Sequence, residues 1–485
     1  MSKSDTSSMP IDEINEKLIT ETGHSFRDRV SSIGDKGKRN WVYPKKPKGP
    51  YHVARAWVAV VLILFFVIAP FLKIGDRPFL MLNVLERKFV IFGNIFWPQD
   101  FHIFALSFLA LVFFIVLFTA VYGRIWCGWA CPQTIFMEMV YRKIEYLFEG
   151  DYKKQMQLTD MPWNGTKILK RGGKIAVFFI ISFLIANILT VYLVGSDKFF
   201  TYLSDGPAAH FSTFMTVTIF SGIIMFVFGW FREQACTFVC PYGRLQSVLL
   251  DRNSIVVGYN YMRGEPRGRA KKNDPTPKGD CIDCGECVKV CPTGIDIRNG
   301  IQLECVNCTA CIDACDSVME RVNKPKNLIT YGSINQFETG TKFKFTPRII
   351  LYTALLLVLL TIISSLLITR NDVEATILRS KGTIAQKTQD NHVANVFTST
   401  IINKTFKDIN VELKPIGVDA RLKIIGNDDI IKVKRESVIT VTFLLEIPKE
   451  RVTSTRNNFD IGVYGNGQLL YVEDVMFPGI ITGLK

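Results

Sequence analysis

Twelve cysteines are the residues of this 485-residue chain best suited to chemistry, and they fall into two kinds of pattern. Eight stand in two runs: "CIDCGECVKVCP" carries Cys281, Cys284, Cys287 and Cys291, and "CVNCTACIDAC" carries Cys305, Cys308, Cys311 and Cys315. Each run has the C-x2-C-x2-C-x3-C spacing of two-cluster iron–sulfur proteins, in which three close thiolates hold three corners of one cube and the fourth cysteine serves the other cube. The spacing therefore predicts one 4Fe–4S cluster on Cys281, Cys284, Cys287 and Cys315, and a second on Cys305, Cys308, Cys311 and Cys291. Two such clusters side by side form a one-electron wire. Pro292 matches the usual trailing proline, whereas Asp316 departs from it. Structural zinc more often pairs two C-x2-C knuckles or uses histidine, and residues 259–347 contain no histidine.

The other four cysteines stand in "RIWCGWACPQ" and "REQACTFVCPYG": Cys127 and Cys131 recur as Cys236 and Cys240, both 109 residues further on. Positions i and i+4 share a helix face, so each pair is expected to present two thiols together, and the proline that follows (Pro132, Pro241) is expected to break the helix. Two pairs related by a pseudo-dyad could offer four soft sulfur ligands, which select Cu(I), or could cycle between dithiol and disulfide. The bland alternative is four small buried hydrophobes; the duplication argues for function. Arg124 and Arg232 either lower the thiol pKa values or anchor helix ends.

The elements that must position these residues are membrane helices. Five apolar runs of bilayer-spanning length occupy 54–73, 104–123, 175–195, 211–231 and 348–369, with no charge in the middle of any. Residues 1–53, hydrophilic and basic with no cleavable signal pattern, read as a flexible cytoplasmic tail. Residues 54–258 read as a four-helix domain with duplicated C-x3-C-P helix ends, and 259–347 as a two-cluster ferredoxin-like α+β domain. The fifth helix is 348–370, and 371–485 alternates apolar and polar residues in short runs, as an immunoglobulin-like β-sandwich does; an eight-stranded barrel is the alternative. The apolar connection 75–99 is expected to be interfacial or re-entrant. Lys and Arg in the short flanks put the N-terminus and clusters in the cytoplasm and the β-domain outside. The net charge of +14 sits mostly outside the near-neutral β-domain; a basic face beside anionic lipid accounts for it with no nucleic-acid partner. The β-domain has no cysteine, the reverse of a disulfide-stapled outer domain. His24, His52 and His392 are expected to be solvated, Trp57, Trp97, Trp126 and Trp230 to mark the interface, and Met215 and Met225 to pack in the fourth span. His102 and His210 lie at outer span ends, which disfavours a b-haem.

Taken together, "CGWACP", "CTFVCP", the run "CIDCGECVKVCPTGIDIRNGIQLECVNCTACIDACD", a last span and an outer β-domain resemble the cytochrome c oxidase accessory family CcoG (FixG, RdxA) from about residue 50 to the C-terminus. The resemblance implies a bacterial inner-membrane assembly factor of cbb-type oxidase that reduces Cu(II) to Cu(I), with copper as substrate or transient ligand at Cys127, Cys131, Cys236 and Cys240. Implied partners are an unidentified cytoplasmic electron donor and copper-delivery proteins or oxidase subunits, with self-association left open. Two other readings compete: a quinol dehydrogenase subunit of a periplasmic reductase system, and a redox-sensing assembly scaffold without turnover.

Overall fold

The computed structural model describes residues 38–478 except 76, 85–87, 92, 97–100, 269–277, 303, 341–345, 370–372, 381–385, 389–390, 406, 427–429, 436 and 455. His24, Trp97 and residues 1–37 of the expected tail lie outside the described residues. The chain divides into two compact units, one reaching Ile363 and the other Ser364–Lys485.

Among the described residues, five helices are long and apolar enough to cross a membrane: Pro50–Phe71, His102–Tyr122, Gly165–Val194, Phe211–Phe231 and Pro347–Ile368. At about 1.5 Å rise per residue, each covers the roughly 30 Å hydrocarbon layer. Their outer faces leave side chains such as Phe108, Ile219 and Leu351 exposed, as surfaces turned to lipid do. The first, third and fourth spans meet around Phe178, Ile185, Val217 and Ile224, with Phe66 stacked on Tyr192 at 5.7 Å between ring centroids. The second and fifth pack through Ala110, Leu356, Leu359 and Ile363. The third span starts at Gly165, earlier than expected, because a basic turn with Lys167, Lys170, Arg171 and Lys174 continues the helix beyond its apolar stretch. The described part of the apolar connection after the first span has regular structure. It folds as an antiparallel meander of Leu80–Asn83, Lys88–Ile91 and Asn94–Phe96, with Met81 and Val90 buried.

Residues 38–53, expected to belong to a flexible tail, instead form an ordered strap that ends in the first helix turn. Lys45 donates its backbone N–H to the Lys289 carbonyl at 2.7 Å and pairs with Glu286 at 2.7 Å. Arg39 pairs with Glu233 at 3.1 Å and lies over the Trp41 and Trp230 rings. Carboxylates and carbonyls scattered through later sequence thus offset the positive charge that made this segment look solvated. The cysteine-rich region also starts earlier than residue 259: Val256–Tyr259 pairs antiparallel with Ile329–Gly332. That ribbon and helix Ala310–Arg321 enclose Ile312, Met319, Leu328 and Ile329. The region belongs to the same compact unit as the first four spans. Asp313 caps the first span by accepting the Tyr51 and His52 backbone N–H groups at 3.2 and 2.8 Å.

The second unit is a sandwich of two antiparallel sheets, not a barrel. One runs Arg421–Ile425, Val438–Pro448, His392–Asn403, Val373–Arg379; the other runs Ile431–Val433, Ile409–Ile416, Arg456–Gly465, Gln468–Pro478. Alternate residues face inward, as a two-residue strand period dictates, so Phe397, Phe443 and Phe477 are fully buried. The Phe397 ring centroid lies 5.8 Å from that of Phe443 and 5.9 Å from that of Phe477.

Candidate functional site

The two cysteine runs follow the same backbone course. Asp283 and Gly285 flank Cys284 at φ +54° and +67°; Asn307 and Thr309 flank Cys308 at φ +53° and +64°. Asp, Asn and Gly adopt left-handed backbone readily, whereas Thr does not. Thr309 is nevertheless buried there, its hydroxyl donating to the Cys308 carbonyl at 2.6 Å. These reversals bring nearby thiols in each run toward a common centre. Cys281, Cys284, Cys287 and Cys315 line one apolar cavity. Cys291 lies instead beside Cys305, Cys308 and Cys311. The structure therefore brings together the two quartets predicted from the crossed spacing. Asp316 fits its place because helix Ala310–Arg321 runs straight through it, where a proline would interrupt, and its carboxylate accepts the Asn327 N–H at 2.8 Å.

Burial pushes the Cys287, Cys305 and Cys315 thiols up to about 12 and Cys308 up to about 11. Such thiols give up their protons when a cationic centre takes the protons' place, which is what the irons of a cube do. Eight thiols in two crossed quartets match the ligand count of two four-iron cubes.

The membrane-end cysteines are built twice from one plan. The second span ends at Tyr122 and the fourth at Phe231, and the next residue in each copy has left-handed φ: Gly123 at +55° and Arg232 at +48°. A single helical turn follows, Ile125–Trp129 with Cys127 and Ala235–Val239 with Cys236. Cys131 and Cys240 then close the turn with the same bond, each donating its N–H five residues back at 2.9 Å, to the carbonyls of Trp126 and Ala235. Both are extended, with ψ 124° and 110°, because the following proline disfavours helical ψ. Pro132 and Pro241 then start new helices, where a missing N–H costs nothing. The expected shared helix face is therefore corrected: the first cysteine of each pair sits inside a turn and the second caps the next helix. The four thiols still converge, Cys127 facing Cys131 and Cys240, and Cys236 facing all three others. Cys127 donates to the side-chain oxygen of fully buried Gln246 at 3.3 Å.

The two arginines do not share a role. At the constant offset Arg124 corresponds to Glu233, and Arg232 to Gly123. Arg124 is buried, donates to the Gly243 carbonyl of the other copy at 2.6 Å and sits near both Cys127 and Cys305. Arg232 makes a buried 2.7 Å ion pair with Glu145. Burial pushes the Cys127 thiol up to about 11 against the pull of Arg124, and burial pushes Cys236 up to about 12. The expected lowering by arginine is outweighed.

The first copy meets the cysteine-rich loops through Gly128 and Trp129. Gly128, between Cys127 and Cys131, lies so close to the second loop that a Cβ there would fall 2.5 Å from the Val306 carbonyl oxygen and 2.8 Å from that of Asn307. Trp129 donates its indole N–H to the Tyr331 hydroxyl at 3.0 Å, and Tyr331 reaches the Asn307 carbonyl at 3.4 Å. Arg55, from the first turns of the first span, donates to the Gly128 carbonyl at 2.6 Å and to the Cys308 carbonyl at 3.4 Å. Sequence reasoning missed Arg55, Gly128, Gln246 and Tyr331. A buried cation one helical turn into an apolar span was the only signal, and it marked Arg55 alone. Of the residues expected to be inert, His102 is exposed and His210 pairs with Asp205 at 3.1 Å. His52, expected to be solvated, is half-buried and lines a cavity.

Comparison with known proteins follows the same lines. Three family models match: a 4Fe-4S dicluster domain over residues 231–334, a 4Fe-4S binding domain over 104–154, and the Ig-like fold at the C-terminal of FixG over 363–479. The chain is 34% identical over 298 residues to the protein RdxA of Cereibacter sphaeroides, covering 60% of this chain and 62% of that one. It is 35% identical over 315 residues to the nitrogen fixation protein FixG of Rhizobium meliloti, covering 62% and 58%. To the protein RdxB of Cereibacter sphaeroides it is 34% identical over 334 residues, covering 66% and 70%. The matched part spans about three fifths of the length of the first two. With five candidate spans among the described residues, paired cysteine quartets and a terminal sandwich in place, the chain belongs to the FixG/RdxA family and carries 4Fe–4S domains on a membrane-type helical frame.

Proposed function

We propose that this protein passes electrons to its membrane-end cysteines, where Cu(II) is reduced to Cu(I) for delivery during assembly of a cbb-type cytochrome c oxidase. The observation that carries the reading is the seating of Gly128, inside the first cysteine pair, directly on the backbone of the second cluster loop. Cys281, Cys284, Cys287 and Cys315 would hold one 4Fe–4S cluster, and Cys305, Cys308, Cys311 and Cys291 the other. When bound, the clusters supply single electrons to the adjoining site.

The chain's own residues do the rest. Cys127, Cys131, Cys236 and Cys240 offer soft sulfur, which prefers Cu(I) to Cu(II) and so favours the reduced product. Their burial keeps Cys127 and Cys236 protonated until metal arrives, so binding releases protons and strengthens as pH rises. Arg124 offsets the negative charge that gathers as thiolates form, and Gln246 holds the Cys127 sulfur in place. The substrate gains one electron and exchanges no atoms. Lys and Arg flanking the spans favour cytoplasmic clusters and an outer sandwich in a bacterial inner membrane, so copper would meet its electron at the cytoplasmic helix ends.

The test is anaerobic. The cluster-loaded protein is reduced, freed of reductant and mixed with Cu(II), while Cu(I) is followed with a chromogenic chelator beside cluster bleaching. Cu(I) should appear as the clusters oxidise, and the variant with Ser at 127, 131, 236 and 240 should keep its clusters and lose the reaction. Equal behaviour of both proteins would make copper reduction incidental and return the quinol and scaffold readings.

A second reading rests on a separate observation. The match described as a 4Fe-4S binding domain covers 104–154, where Cys127 and Cys131 are the only cysteines. Four converging thiols could therefore hold a third cluster. Iron analysis separates the readings, with about eight irons per chain for two cubes and about twelve for three. Under the third-cluster reading the four-serine variant would lose about four.

A further inference from the structure

A cavity of about 190 Å3 lies beside the second cysteine quartet, between the strap, the first turn of the first span and the helix that follows Pro132. Lys46, His52, Arg55 and Lys143 converge on it, against one carboxylate, Glu138, which is already paired with Arg142 at 3.1 Å. Arg55 is 4% exposed and donates to the carbonyl oxygens of Gly128 and Cys308, and among the described residues its Nη2 has no hydrogen-bond partner. A buried guanidinium nitrogen left without an acceptor is costly, and its fork of donors matches the oxygens of phosphate or carboxylate. Lys46 belongs to the strap and Lys143 to the helix that follows Pro132, so donors on separate elements suit an anion with oxygens on several sides more than a flat carboxylate. The volume is several times the roughly 30 Å3 share of one water. Basic pockets between spans at a membrane surface are where anionic headgroups bind.

We propose that this cavity binds a phosphate group, carried by an anionic phospholipid or free in solution. The bound group compensates Arg55, the residue that ties the first cysteine pair to the second cluster loop. It thereby stabilises the junction between them, whatever acceptor the cysteines serve.

The test uses the full, cluster-loaded chain in a maltoside detergent, which carries no phosphate. Its thermal midpoint is followed during titration with inorganic phosphate in one arm and with phosphatidylglycerol micelles in the other. At least one arm should give a saturable rise that chloride at equal ionic strength does not reproduce. Response to inorganic phosphate assigns a free anion, and response to the lipid alone assigns a headgroup. The Lys46→Ala/Lys143→Ala variant changes two exposed side chains and should keep its iron content. It should need roughly tenfold more ligand for the same rise, the loss expected when about 1.4 kcal/mol of binding is removed. No rise in either arm, an equal rise with chloride, or an unchanged midpoint concentration in the variant would each overturn the proposal.

Discussion

At the scale of single residues, the two copies of the cysteine motif share a backbone and differ in what they touch. Gly128 is replaced at the constant offset by Thr237, and Arg124 by Glu233. The glycine is needed because the Val306 and Asn307 carbonyls occupy the space of a side chain. Gly128→Ala should therefore push the second cluster loop away. The expected cost is about 1–3 kcal/mol, as for other overpacked sites, together with a changed electron paramagnetic resonance signal from one of the two clusters. Thr237→Ala in the other copy should leave both the signal and the melting midpoint in place. A variant at 128 with unaltered spectrum would mean that the contact does not position the loop. The cysteines, their spacing and the crossed quartets were legible in the sequence because ligand spacing is a local property. Gly128 was not, since the atoms that crowd it come from residues far along the chain.

At the scale of elements, the repeat ends are held by a buried charge network. Glu145 on the helix Arg142–Phe148 accepts Arg232 from the end of the fourth span at 2.7 Å and Lys174 from the third at 3.3 Å. Burial alone would raise its carboxyl pKa, but Arg232 and Lys174 outweigh that and hold it at about 2, below the ordinary 4.5. A depressed carboxyl stabilises the fold above its ordinary value, and the contribution is lost as pH falls from about 4.5 toward 2. Glu145→Gln should strip one partner from a buried pair and cost roughly 3–5 kcal/mol at neutral pH, read as a lower thermal midpoint in detergent. The variant's midpoint should also lack the wild-type decline over that acid window. If the variant retained the decline, other carboxylates would be its source. The sequence left Arg232 between lowering a thiol pKa and anchoring a helix end, because its partner lies 87 residues away. Only packing of the spans shows that it holds helices together.

At the scale of the whole molecule, the sandwich carries its own core, with Phe397, Phe443 and Phe477 fully buried among residues of Ser364–Lys485 alone. Phe443→Ala should cost about 3–5 kcal/mol within that unit. Limited proteolysis should then cut within 371–485 while iron content and cluster absorbance stay at the wild-type level. Loss of iron in that variant would show that the clusters depend on the sandwich for folding. Two-residue alternation made the strands legible, and turn spacing favoured a sandwich. The choice over a barrel was decided by pairing: the strands close into two separate sheets.

Hydropathy, period and spacing are properties of neighbouring residues, so the sequence alone determined five spans, two crossed cysteine quartets, a duplicated helix end and a β-rich terminus. The tertiary structure decided which copy of the motif meets the cluster loop, that 38–53 is a packed strap, and that Arg55 lies buried beside an anion-sized cavity. Those outcomes depend on groups distant in sequence sharing one low-dielectric space, where a carbonyl, a carboxylate or its absence sets the role of each charge.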